Sequence, residues 1–194
     1  MVPIDYYLKI KPLKRLDECG DTGIIKEYDK KLFFALIDGA GHSRNAHKIS
    51  ETARNFLEDN FRFELKELME KLNLTIKGSN GAVVSICTLD LETGYLKNVG
   101  VGDITLKIFG HKSIELLSKP GIIGYVMPRL NENSHYLQEG DIIVMYTDGV
   151  KRQFNLNDFP ETRNKDSKTI ADYLISQFAR KTDDAACLVL KYGL

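Results

Sequence analysis

The sequence predicts an α+β fold built in layers, and three observations carry that expectation. Strand-like runs come in groups broken by helix-like segments, rather than alternating one for one with single helices. No internal repeat or low-complexity linker divides the chain. Its 194 residues, 43% of them hydrophobic, suffice for one sizeable core. A single domain over residues 1–194 is expected, with the stretch 118–139 read as a short flap.

The elements follow in order. Ile4 to Lys11 reads as a strand, and the acid-rich corner Glu18-Cys19-Gly20-Asp21 comes next. Ile24 to Tyr28 and Lys31 to Ile37 then form a hairpin through Asp29-Lys30. Ala46, Ile49, Ala53, Phe56 and Leu57 recur at helical spacing behind a Ser43 cap, and Leu65, Leu68, Met69 and Leu72 mark a second helix. Strands return at Ala82 to Leu89, Tyr95 to Val101, Thr105 to Phe109 and Ile114 to Leu117, a meander. Ser118 to Glu139, with Pro120, Gly121, Gly124 and Pro128, is the least regular stretch. Ile142 to Tyr146 is a strand. Ile170, Leu174, Ile175 and Phe178 form a helix behind a Ser167 cap, and Ala185 to Leu190 closes the chain as a strand.

Composition excludes several classes. Lysine plus arginine equals aspartate plus glutamate, 27 each, so nothing favours nucleic acid or an acidic membrane as partner. Cys19, Cys87 and Cys187 are odd in number and lack paired spacing, and the latter two lie in apolar strands, so reduced, buried thiols are expected. The N-terminus lacks a basic segment followed by an apolar run, and no stretch approaches transmembrane length. A cytoplasmic, monomeric protein is expected.

Chemistry concentrates in four aspartates beside strand-like runs: Asp21, Asp38, Asp148 and Asp183. Asp38-Gly39 ends the run Leu32–Ile37, and Asp148-Gly149 follows Ile142–Thr147 in the same design. An isolated Asp-Gly pair usually marks a hairpin turn. Here Asp38-Gly39 leads through Ala40-Gly41-His42-Ser43 into a helical pattern, which weakens the turn reading. Carboxylates gathered from several strand ends suit hard divalent cations such as manganese or magnesium, which favour oxygen ligands and usually keep several waters.

The ordered motifs Glu18-Cys19-Gly20-Asp21, Asp38-Gly39-Ala40-Gly41-His42, Gly100-Val101-Gly102-Asp103, Thr147-Asp148-Gly149-Val150 and Thr182-Asp183-Asp184-Ala185-Ala186 give the chain a wider likeness. It resembles the metal-dependent protein phosphatases of the 2C type, in their bacterial SpoIIE-like branch, and within it the short stand-alone stressosome phosphatases. The resemblance covers nearly the whole chain. It implies a four-layer αββα sandwich of two antiparallel sheets flanked by helices, with the metal site at one end of the sheets. It also implies hydrolysis of phosphoserine or phosphothreonine on a bacterial signalling protein, with STAS-domain proteins of a stressosome or anti-sigma-antagonist pathway as the substrate class.

By the same resemblance two Mn2+ or Mg2+ ions are expected. Asp38 bridges both, the Gly39 carbonyl completes one shell, and Asp148 and Asp183 bind the other ion. Asp21 coordinates directly or through water. Gly39 and Gly41 let the backbone approach closely. Two ions about 3.5–4 Å apart activate water for in-line attack and neutralise phosphoryl charge, so no nucleophilic side chain is needed. Asp38, Asp148 and Asp183 are thus the expected catalytic residues. Asp184 is expected to turn the chain or to support the ligands from behind. Asp103 is open to two readings, a loop anchor or a weaker third ion. Lys14 and Arg15 receive no role.

One departure stands out. Relatives with a histidine directly after the Asp-Gly pair can use it as general acid, whereas this chain has Ala40 there and His42 two positions later. A modest role for His42 at most is expected. Dinucleotide, Walker and serine-elbow motifs do not fit: Arg44 stands where a third glycine would be needed, and neither a Walker lysine nor a Gly-x-Ser-x-Gly is present. Two alternatives stay open, a catalytically silent scaffold that binds a signalling partner and a phosphatase of a small phosphorylated metabolite.

Overall fold

The apolar run Leu32–Ile37 is unbroken because the strand that carries it is buried on both faces. In the computed structural model, which describes residues 2–41 and 43–193, that strand lies between two layers. Phe33, Ala35 and Ile37 point to a core under two helices, while Leu32, Phe34 and Leu36 point to a second core between two sheets. The period of two along a strand thus divides one hydrophobic run between two interfaces.

The first sheet has the order β1 (Ile4–Lys11), β10 (Ala185–Tyr192), β9 (Asp141–Tyr146), β6 (Thr105–Phe109) and β7 (Ser113–Leu116). The second has β2 (Asp21–Tyr28), β3 (Lys31–Gly39), β4 (Ala82–Asp90), β5 (Tyr95–Val101) and β8 (Asn133–Tyr136). Every pairing is antiparallel. Helices α1 (Ser43–Asn60) and α2 (Leu65–Thr75) cover the second sheet. The single turn α3 (Pro160–Arg163) precedes α4 (Ser167–Phe178), which covers the first sheet through Ile170, Ala171, Leu174 and Ile175. The result is the expected αββα sandwich. In β10, likewise, Ala186, Leu188 and Leu190 face the other sheet while Ala185, Cys187 and Val189 face α4.

Local chemistry fixes the register. Asp29 (φ 43°) and Lys30 (φ 63°) turn β2 into β3 with two consecutive positive φ angles, the backbone of a two-residue hairpin whose twist matches its strands. On α2 the buried set is Leu65, Leu68, Met69 and Leu72, the helical spacing the sequence predicts. All three cysteines are free and buried.

The structure corrects three boundaries. β2 begins at Asp21 rather than Ile24, and β3 runs past Ile37 to Gly39, so Asp21 and Asp38 belong to the ladder instead of the loops beside it. Aspartate disfavours strands, so apolar patterning stops short, yet the backbone hydrogen bonds continue. The cap of α4 is Asp166, whose carboxylate accepts from the Thr169 N–H at 2.6 Å, one residue before the expected Ser167. The expected Ser43 cap, like His42, lies outside the described residues.

Ser118–Glu139, expected as a short flap, bonds to the second sheet at several points. The Lys119 N–H donates to the Gly100 carbonyl and the Lys119 carbonyl accepts from the Gly102 N–H, Ile123 pairs with Ala82 and is fully buried, and β8 adds an edge strand to β5. Exposed apolar side chains remain at Leu117, Tyr125 and Val126.

Candidate metal centre

Antiparallel pairing brings the acids together. Asp21, the first residue of β2, is the register partner of Asp38 near the end of β3. In the other sheet β9 runs into Thr147-Asp148, and its neighbour β10 starts just after Asp183-Asp184, with Tyr146 opposite Cys187. Both sheets therefore deliver carboxylates to the same end of the sandwich.

Thr147 joins them. Its hydroxyl donates to Asp21 Oδ2 at 2.6 Å and accepts from the Ala186 N–H at 2.9 Å. Asp184 is oriented by two backbone donors: its carboxylate accepts from the Leu13 N–H at 2.6 Å and the Gly20 N–H at 2.8 Å. It thereby holds the loop between β1 and β2 against the site. Asp183 accepts from the Asp184 N–H at 3.0 Å, and the Arg180 guanidinium donates to the Asp148 carbonyl at 2.9 Å.

Two glycines are required by close approach. A Cβ on Gly39 would meet the Ala46 carbonyl oxygen of α1 at 2.2 Å, and one on Gly149 would meet the Asp184 carbonyl oxygen at 1.7 Å. The first glycine seats α1 over the end of β3, and the second lets the Asp148 turn cross the chain that carries Asp183 and Asp184.

A cavity of about 230 Å³ opens here, walled by Asp21, Asp38, Gly39, Asp183 and Asp184 with Lys14 and Glu18. Asp148 is not part of its lining but is near enough for its charge to act on Asp21 and Asp38. Burial is the largest influence on Asp21 and Asp38 and holds both carboxyls well above the usual carboxylate range. At Asp21 the Thr147 hydroxyl works against this, whereas negative charge on Asp184, Asp148 and Asp183 adds to it. At Asp38 the further push comes from Asp21, Asp148, Asp103 and Asp183. Asp148 is raised by burial and then by Asp103 and Asp183, with Arg180 opposing.

The donor set suits a hard cation. Among the described residues, none of Asp21, Asp38, Asp103, Asp148, Asp183 or Asp184 forms an ion pair with lysine, arginine or histidine. A part-buried cluster of unneutralised oxygens costs folding energy that a divalent cation would offset. Among the described residues no three acid, histidine or cysteine side chains stand close enough together to hold a metal ion between them. The carboxylates line a space instead of meeting at a point, an arrangement suited to ions that keep part of their water.

The site therefore gathers Asp21, Asp38, Gly39 and Asp183 in one cavity with Asp148 beside it. Residues 28–193 match the profile of the family described as Stage II sporulation protein E (SpoIIE). The chain belongs to the SpoIIE family. It is 24% identical over 135 residues to the phosphoserine phosphatase RsbX of Bacillus subtilis (strain 168), which spans 68% of this chain and 67% of that protein. A chain from a structural study of the bacterial stressosome, a modular system adapted to control secondary messenger signalling, superposes with a TM-score of 0.90 at 25% identity. The match covers 97% of this chain and 100% of that one. RsbX in complex with magnesium superposes with a TM-score of 0.86 at 19% identity, over 100% of both chains. The PP2C phosphatase domain of SpoIIE from Bacillus subtilis gives 0.78 at 18%, over 99% of this chain and 62% of that one. The last two likenesses show the PP2C fold. Among the described residues of this SpoIIE-family chain no helix is long and apolar enough to cross a membrane.

Sequence reasoning missed two partners of the site. Lys14, given no role, lines the cavity, because the Leu13 N–H bond to Asp184 turns its neighbour inward. Thr147 figures in the sequence only as the residue before Asp148, although a hydroxyl at a strand end beside an acid is a signal for such a bond. Asp103 lies outside the cavity, near enough to act on Asp38 and Asp148.

Proposed function

We propose that this chain removes phosphate from phosphoserine or phosphothreonine on a STAS-domain signalling protein in a stressosome or related partner-switching pathway, acting as a cytoplasmic monomer. The coarser part follows from family membership: it is a metal-dependent serine/threonine protein phosphatase of the PP2C type. The observation that carries the reading is the convergence of acids from both sheets at one cavity, where none of them forms an ion pair among the described residues. Asp21, Asp38, Asp148 and Asp183, with the Gly39 carbonyl, would hold two Mn2+ or Mg2+ ions. When bound, these ions supply Lewis acidity toward water and toward the phosphoryl oxygens.

The chain's own residues divide the remaining work. The Thr147 hydroxyl favours the ionised form of Asp21 and fixes its orientation. Asp184 keeps the β1–β2 loop closed on the cavity, so that Lys14 presents its ammonium to the phosphate dianion that enters. The substrate class is supported by the stressosome chain that superposes on this one and by the phosphoserine phosphatase RsbX.

The test is a manganese-dependent dephosphorylation assay on phosphorylated STAS-domain proteins from the same genome. Phosphate release that requires manganese or magnesium and stops with chelator is expected. Stoichiometric binding without turnover across several metals would instead indicate a silent scaffold, and turnover confined to small phosphate esters would indicate a metabolite phosphatase.

A further inference from the structure

A second concavity, of about 510 Å³, lies along β7 and is lined separately from the acid-walled cavity. It starts beside Asp38: Val83, which lines it, is the register partner of Asp38 on β4. Asp103 lines the same end. Ile104, Leu116, Leu117 and Ile122 give it apolar walls, and the charges of Glu115 and Arg152, which also line it, are paired with each other at 3.2 Å. β7 pairs with β6 alone and so forms a sheet edge with one side unpaired. Leu116 lies opposite Leu106, which puts the C-terminal end of β7 next to the start of β6, close to Asp103. Leu117 is 68% exposed, a large apolar side chain left in water at the end of the groove nearest the acids.

A phosphoserine whose phosphate reaches Asp38 must have its neighbouring residues leave the cavity along some surface. This groove lies next to that position, through Val83 opposite Asp38 and through Asp103, and it has apolar walls and a strand edge that no other strand among the described residues pairs with. An extended peptide gains main-chain hydrogen bonds from such an edge and specificity from pockets for alternate side chains. We propose that the groove seats the phosphoserine-bearing segment of the substrate as an extended chain along β7, with apolar residues flanking the phosphoserine packed against Leu116, Leu117 and Ile122. The proposal rests on the phosphatase reading and adds to it a substrate chemistry, apolar flanking residues in an extended stretch.

The test uses synthetic phosphoserine decapeptides that differ only in carrying leucine or aspartate on either side of the phosphoserine, with p-nitrophenyl phosphate as a reference substrate and manganese present throughout. Loss of one apolar contact in a pocket typically changes kcat/KM about tenfold or more, so wild type should favour the leucine-flanked peptides by about that factor. Leu117→Asp should erase the preference and lower the ratio of peptide to p-nitrophenyl phosphate turnover, whereas Leu117→Met should keep both. Because Leu117 is mostly exposed, a melting curve should show the Leu117→Asp protein folded. Equal turnover of the two peptides by wild type, or a preference that survives Leu117→Asp, overturns the groove assignment. Hydrolysis of p-nitrophenyl phosphate without any peptide turnover overturns it too, and the assay on phosphorylated STAS-domain proteins then separates a protein phosphatase from a metabolite phosphatase. Hydrolysis of neither substrate overturns both.

Discussion

The hydroxyl of Thr147 donates to Asp21 Oδ2 at 2.6 Å, a bond between residues 126 positions apart that ties the two sheets together at their acidic end. Asp21 begins a strand of one sheet, and Thr147 follows a strand of the other. Both are buried, with Asp21 on the wall of the cavity. Thr147→Val keeps the shape and removes the donor, leaving a buried carboxylate and the Ala186 N–H each short of a partner. An unsatisfied buried group costs about 1–3 kcal/mol. Urea unfolding of Thr147→Val should therefore show a loss of about that size, and a manganese titration should show weaker binding. Thr147→Ser should restore most of both. A Thr147→Val protein with wild-type stability and metal affinity would remove the bond from any account of the site.

Metal-free protein should lose stability as pH rises. Asp21, Asp38 and Asp148 are all held above their ordinary value in the folded state, by burial first and by neighbouring aspartates next. The folded state then binds more protons than the unfolded one, and the slope of stability against pH is negative. The window opens at the ordinary carboxylate value of about 4 and runs upward through the raised values. In EDTA the melting temperature should be lower at pH 8 than at pH 5, after allowance for other groups through the Asp38→Asn protein. Saturating magnesium or manganese should flatten the difference. A metal-free protein more stable at pH 8, with Asp38→Asn matching it, would contradict the repulsive cluster.

Asp38→Asn separates function from fold in the opposite sense to most active-site changes. The substitution removes one charge at nearly constant volume from a cluster without counter-cations. Hydrolysis should fall to background, the rise in melting temperature on adding manganese should shrink or vanish, and the metal-free protein should be at least as stable as wild type at pH 8. Retained turnover would show that Asp38 does not hold the ions.

Much of this was legible in the sequence because buried strands and acids leave separate signatures. The continuous apolar run of β3 and the helical spacing on α2 located the cores, and Asp-Gly pairs after two such runs located the acids. The ends were less legible. Asp21 and Asp38 extend their strands against propensity, held there by the ladder, which no local rule contains. Ser167 lost the cap to Asp166 because the two differ by one position and both side chains can accept. Lys14 and Thr147 owe their place to contacts with Asp184 and Asp21, far away in sequence. The bonds of Ser118–Glu139 leave no local signature, because its backbone partners are Gly100 in β5, Gly102 just beyond that strand and Ala82 at the start of β4.

Gly149 should tolerate no side chain. It follows Asp148 directly, and a Cβ there would lie 1.7 Å from the Asp184 carbonyl oxygen and 2.8 Å from its carbon. Both are backbone atoms, so no rotamer change can relieve the clash. The crossing chain is itself fixed, because the Asp184 carboxylate is bound to the Leu13 and Gly20 N–H groups. Overpacking a tight site costs about 1–3 kcal/mol and occasionally more, and a backbone clash belongs at the upper end. Gly149→Ala should thus lower the urea midpoint by the equivalent of about 3 kcal/mol or leave the protein insoluble. Where it does fold, Asp148 and Asp183 should be pushed apart, and the manganese dependence of hydrolysis should move to higher concentration. Gly140→Ala is the control, since its Cβ would meet nothing within 4 Å, although its φ of 89° still carries some backbone strain. If Gly149→Ala proves no more destabilising than Gly140→Ala, the chain near Asp184 can move aside, and the close crossing of the two acid-bearing loops does not hold the site together.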